Sequence, residues 1–259
     1  MIRLLALCIA AAAPAGAGGG VSRALCLEGD AVVSGGDMAD LALTCEAVGL
    51  ALDLLSACGL EQRRPVGIEI VREVEVAGAT DCLGSYDGRD DGIEVVGPAW
   101  LDGVVSAENP FAAIGAAEHY RSLVVHEMAH AVFAQNAGPR TLAGPEYVAY
   151  AMQYAALPEA ARNRVLAGFG EIGEVGPREL DETVAAMAPL RFGAKAWTHF
   201  AAPGNGCAVI RDLVRGSVDP GRTRPEAGHP GACHEGPRRG AAAGAAAGSQ
   251  PTMSRPAKK

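Results

Sequence analysis

The sequence predicts an α+β fold, and three observations carry that reading. The first is a dense apolar run from Met38 to about Ala57 that holds Leu41, Leu43, Val48, Leu50, Leu52, Leu54 and Leu55. It has the length of a buried helix and exceeds that of a strand. The second is the alternation of Val66, Ile68 and Ile70 with Gly67, Glu69 and Val71, the two-residue period of a strand. The third is the order of textures. Strand-like segments gather between residues 65 and 96, and helix-like segments follow.

Each element has a local reason. Residues 18–36 form a Gly-rich N-terminal segment of variable character, and Ser34-Gly35-Gly36-Asp37 reads as a helix start with Asp37 as N-cap. Cys58-Gly59 ends that helix. Pro65 opens the strand region, in which Val74 and Val76 extend the alternation. Cys82 to Tyr86 is a second strand and Ile93 to Val96 a third. Between them Asp87-Gly88-Arg89-Asp90-Asp91-Gly92 is turn chemistry. It lacks the spaced ligands and closing glutamate of a calcium loop, so a solvated hairpin turn is expected. Gly97-Pro98 breaks the sheet, and Pro110 starts a helical region. A long helix is expected from Glu118 to about Gln135, stopped by Asn136-Ala137-Gly138-Pro139. Gly144-Pro145 starts the next, from Glu146 to about Leu157, and Pro158 opens a third, to about Phe169. Further helices are expected at 177–188, 189–201 and 206–215. From Ser217 to the end the texture is Pro, Gly, Arg and Ala, which predicts a disordered tail over 217–259.

Composition narrows the function classes. The chain has 259 residues, 49% hydrophobic, with 22 basic against 30 acidic side chains and a net charge of -8. An acidic chain without a basic stripe argues against nucleic acid and anionic membrane surfaces as partners. Residues 1–17 read as a secretory signal: Arg3 is the charged end, Leu4 to Ala13 the apolar run, and Ala15-Gly16-Ala17 the small residues for cleavage. No later stretch has the length and apolarity of a membrane span. A periplasmic or secreted protein is therefore expected, with its folded domain over 37–216.

Six cysteines follow the signal: Cys26, Cys45, Cys58, Cys82, Cys207 and Cys233. An even number in an exported chain predicts disulfides. Cys45 and Cys58 share a helix about 20 Å apart and cannot bond to each other. If the first four pair among themselves, the choices are Cys26–Cys45 with Cys58–Cys82, or Cys26–Cys58 with Cys45–Cys82; Cys207 then pairs with Cys233. No C-x-x-C spacing marks a cysteine metal site.

The chemistry-bearing stretch is Leu123 to Val132, which contains His126-Glu127-Met128-Ala129-His130. Residues four apart stack on one helix face, so two imidazoles held this way can grip one metal ion. Glu127 stands one step round the helix, within reach of a water at that metal. Catalytic sites of this kind use three protein ligands. Phe133 and Asn136 stand where a downstream Gly and third His would extend the motif, so the third ligand must come from elsewhere. Glu146 is the best candidate, because it opens the next helix within easy loop reach of His130. A helix-start glutamate is also favoured by the helix dipole alone, and Glu159, Glu171 and Glu174 are the other candidates. His119 is about 10.5 Å up the helix from His126, too far for the same metal.

His126, Glu127, His130 and Glu146, with a strand region ahead of the motif helix and a ligand helix behind it, resemble the zincin metallopeptidases. Among these they resemble the gluzincin type with two His and a downstream Glu, and the chain is similar to bacterial exported zincins. The resemblance implies a minimal zincin-like fold: a long helix, a short twisted sheet whose edge strand holds extended peptide, and two site helices. It implies Zn2+ held by His126, His130 and Glu146, with Glu127 as general base in the hydrolysis of a peptide or protein substrate. His199, Tyr147 and Tyr150 are candidate second donors to the oxyanion, and Ile93–Val96 is a candidate substrate-binding edge. The Asn-Glu-x-x-x-Asp pattern of thermolysin-like members is absent, since Pro145 precedes Glu146 and Tyr150 replaces the acid. The alternative function is a zinc-holding binding or assembly module that cleaves nothing.

Overall fold

A computed structural model describes residues 21–76, 79–138, 140–176 and 179–218. The expected signal segment and nearly all of the expected tail lie outside them. The elements are, in order, β1 (Arg23–Leu25), β2 (Ala31–Gly35), α1 (Met38–Ala57), β3 (Val66–Val71), β4 (Val74–Val76), β5 (Ala79–Cys82), β6 (Gly84–Asp87) and β7 (Gly92–Val96). Then come α2 (Pro98–Val104), a 3-10 turn (Pro110–Ala113), α3 (Ala116–Asn136), α4 (Ala143–Ala156), α5 (Glu159–Ala167), α6 (Glu182–Met187), α7 (Pro189–Ala201) and α8 (Cys207–Arg215). The fold is α+β, as expected.

Helix α1 begins and ends where its sequence says. The Asp37 carboxylate accepts from the Ala39 and Asp40 amides at 2.7 and 3.0 Å, and Asp40 reaches back to the Asp37 amide. This reciprocal box satisfies donors that the first turn leaves open. At the other end Gly59 adopts φ +85, which a side chain resists.

The main sheet has the order β1-β2-β3-β7-β6. Strands β2, β3 and β7 run parallel, while β1 and β6 are antiparallel to their neighbours. Register aligns Val33 with Ile68 and Ile68 with Ile93, and these side chains are buried. The opposite face carries Ser34, Glu69 and Glu94 in one cross-strand row. The alternation read in β3 thus separates core from solvent. Helix α3 packs against α1, α4, β6 and β7, and 15 of its residues are buried. A helix apolar nearly all round belongs in the core.

Several expectations are corrected. Residues 18–36 contain two strands, because Ala31-Val32-Val33 joins the sheet beside β3 although the run is too short to show a period. The single strand expected over Cys82–Tyr86 is divided at Leu83 between β5, in a two-strand sheet with β4, and β6. Gly97-Pro98 ends the sheet as expected, and it also starts a helix that was not expected, α2, with Pro98 in the first turn where its missing N–H costs nothing. Ile93–Val96 is no edge: β7 lies between β3 and β6, and β6 is the terminal strand. The helix expected over 177–188 is shorter, capped by the Asp181 carboxylate accepting from the Val184 amide at 2.9 Å.

The cysteine pairing is also corrected. Cys26 bonds Cys45, one of the two expected alternatives, but Cys58 bonds Cys207 rather than Cys82 or Cys26. Cys207 therefore does not pair with Cys233. Cys82 is itself disulfide-bonded. The reason is the path of α8, which returns to the end of α1 and brings together residues 149 apart in sequence.

One polar cluster ties the sheet to α3. Asp91 sits at φ +54 in the β6–β7 turn, a conformation that Asp tolerates better than most residues. Its carboxylate accepts from Arg64 Nε at 2.6 Å, Tyr86 Oη at 2.7 Å and Gln135 Nε2 at 3.3 Å. Burial alone would raise its pKa, but these donors hold it below the usual carboxylate range. Gln135 Oε1 accepts in turn from the Arg63 and Arg64 amides at 2.7 and 3.0 Å. At the other end of α3, Thr44 donates to the Asp40 carbonyl, which leaves Tyr120 to donate to Thr44 at 2.6 Å.

Candidate metal centre

Helix α3 brings His126 and His130 to one face, with their Nε2 atoms 3.1 Å apart. Helix α4 supplies Glu146. It begins at Ala143, earlier than the sequence suggests, because Pro145 falls in the first turn, where backbone N–H groups have no intrahelical partner. The Glu146 amide makes the helical bond back to the Leu142 carbonyl at 3.2 Å. The Glu146 carboxylate lies 3.9 Å from His126 Nε2 and 3.6 Å from His130 Nε2. One ligand atom from each of the three residues fits within a mutual separation of 4.8 Å, and this group can hold a metal ion.

The alternative third ligands are elsewhere. Glu159, Glu171 and Glu174 are exposed and outside the cluster. His119 is buried and stacks on Phe111 with ring centroids 5.0 Å apart, a packing role. Glu127 is fully buried and lies under β6: a Cβ added at Gly84 would stand 2.5 Å from Glu127 Oε1. Glycine at 84 is thus what leaves space for this carboxylate beneath the terminal strand. Of the candidate second donors, Tyr150 sets its ring edge-on to His126 at 4.6 Å. Tyr147 and His199 bond each other at 2.9 Å.

Two contacts were not foreseen from the sequence. Gly84 is one. Gln153 is the other: its Oε1 lies 2.9 Å from His126 Nδ1. The available signal was spacing, since Gln153 follows Glu146 by two helical turns on an otherwise apolar helix.

Burial dominates the electrostatics of the site. It pushes the Glu146 carboxyl up to about 8 and the His130 imidazole down to about 4. Without metal, Glu146 keeps its proton in the fold up to about pH 8, whereas the unfolded chain releases it near 4.5. In that window the native state binds more protons, so stability falls as pH rises, by up to about 1.4 kcal/mol per pH unit. His130 acts in the other direction between 6.5 and 4, where the unfolded chain takes up the proton first and stability rises with pH. Of these two groups only Glu146 still contributes above 6.5. The Glu146 term should therefore lower the thermal midpoint of chelator-treated protein from pH 6.5 to 8, and Glu146→Gln should make that slope shallower. A parent midpoint that stays level across this window would contradict the burial argument.

The comparisons with known proteins give a family without a function. No curated protein and no solved structure matches the chain. Residues 31–222 match a family of unknown function (DUF6639), a span that includes every strand but β1, both site helices and α8. The chain belongs to that family.

Proposed function

We propose that this protein is an exported zinc-dependent metallopeptidase. The observation that carries the reading is the meeting of His126, His130 and Glu146, from two helices, beside a Glu127 that faces the terminal strand. Two imidazoles and one carboxylate are a donor set of catalytic zinc. Ligand bonds of about 2.0–2.1 Å at the tetrahedral angle put ligand atoms about 3.3 Å apart. The His126–His130 separation of 3.1 Å and the His130–Glu146 separation of 3.6 Å are near that value, and the His126–Glu146 separation of 3.9 Å is wider. Bound there, zinc supplies Lewis acidity for a water nucleophile and an acyl oxygen.

The remaining roles belong to the chain. Glu127 accepts the proton of the attacking water and returns it to the leaving amine. An extended peptide paired to β6 would run alongside Gly84, the strand residue under which Glu127 sits. The zincin-like order of sheet, motif helix and ligand helix agrees with this reading. So do the disulfides, which suit an oxidising compartment, and the lack, among the described residues, of a helix long and apolar enough to cross a membrane.

One observation favours the alternative of a zinc-holding module without hydrolysis: the site is closed, with His126 and Glu127 at 0% exposure and His130 at 8%. A single experiment separates them. Protein purified without chelator should carry about one zinc per chain and cleave a proteome-derived peptide mixture, with both properties lost after chelation. Zinc without cleavage favours the module, and failure to take up any metal overturns both readings.

A further inference from the structure

We infer that Gln153 is the positioning residue of this site, fixing His126 in the tautomer whose Nε2 lone pair points at the ligand cluster. The inference rests on the proposed metal reading, but its proton bookkeeping is independent of it. Ser122 donates its hydroxyl proton to the His119 carbonyl at 2.7 Å, so it offers Gln153 only lone pairs. The Gln153 amide nitrogen faces that oxygen at 3.5 Å, the long end of the range. The amide oxygen is then left facing His126 Nδ1 at 2.9 Å. An amide oxygen cannot donate, so Nδ1 carries the hydrogen. A neutral imidazole carries one, which leaves Nε2 as an acceptor, 3.1 Å from His130 Nε2 and 3.9 Å from the Glu146 carboxylate.

The arrangement couples two requirements in one element. Gln153 and Glu146 stand seven residues apart on α4, so the register that delivers the third ligand also delivers the acceptor behind His126. The whole bond is screened from bulk solvent: His126 and Gln153 are fully buried and Ser122 is nearly so.

The test compares two substitutions of similar length. Gln153→Met keeps the packing volume and removes the acceptor, whereas Gln153→Glu keeps the acceptor. Zinc affinity, read by competition with a chromophoric chelator, should fall by about 10–100-fold in the Met variant and stay near the parent's in the Glu variant. Long-range nitrogen–proton NMR of metal-free protein should show His126 protonated at Nδ1 in the parent and in Gln153→Glu, with a tautomer mixture in Gln153→Met. Parent-like zinc affinity in the Met variant, or an Nε2-protonated His126 in the parent, overturns the inference. Should the Met variant fail to fold, the parent spectrum alone decides. If the parent binds no zinc but shows the Nδ1 proton, the metal reading fails while the assignment of Gln153 stands.

Discussion

Glu127→Gln should retain zinc at the parent's stoichiometry and lose peptide cleavage by about 10²–10⁴-fold. The substitution is nearly isosteric, so the side chain still fills the space under Gly84 and leaves α3 seated against β6. The three ligands are untouched, because Glu127 points to the strand while His126 and His130 face Glu146. What disappears is the capacity to take a proton and return it. Glu127→Ala would be a poorer test, since it also opens a cavity at a fully buried position. The measurement is paired: metal content by elemental analysis, and cleavage of peptides found to be substrates of the parent. Parent-level turnover by the Gln variant would remove Glu127 from the mechanism and leave the metal site standing.

Replacing Cys58 and Cys207 together by serine should destabilise the protein by about 5 kcal/mol on the chain-entropy account, measured as a lowered urea midpoint. The bond joins residues 149 apart, so cutting it frees a large loop in the unfolded chain. In the folded chain α8 would remain held chiefly by Ile210 and Leu213, both buried, and by Arg140, which donates to the Leu213 and Val214 carbonyls at 3.0 and 2.7 Å. Arg140 lies just ahead of α4, so loosening α8 also loosens the approach to Glu146. Zinc affinity should drop modestly in the same variant. An unchanged urea midpoint would show that the bond contributes nothing beyond what packing already secures.

The parts of this molecule legible in the sequence are those specified locally. The limits of α1 follow from the Asp37 cap and Gly59, and β3 follows from a strict alternation. The two histidines meet because the helix period requires it. Glu146 could be named because a short loop leaves few acids within reach of His130. What escaped is specified by tertiary neighbours. Strand β2 is too short to show a period and is defined by pairing with β3. The partner of Cys58 depends on where α8 returns, which no spacing encodes. Gly84 and Gln153 are ordinary residues in sequence, and acquire a role only because β6 and α4 place them against Glu127 and His126.

The attachments of α3 carry a consequence for how the site can open. A helix is a screw: moving it by one residue means about 1.5 Å of travel and about 100° of turn. Tyr120 holds one end to α1, Glu127 sits under the terminal strand in the middle, and Gln135 is bonded into the Asp91 cluster at the other end. Three anchors on three separate partners forbid both travel and turn. The depth and bearing of the two histidines are therefore set once, when the chain folds. A movement that admits a substrate would then belong to α4 or α7, with α3 as its fixed post.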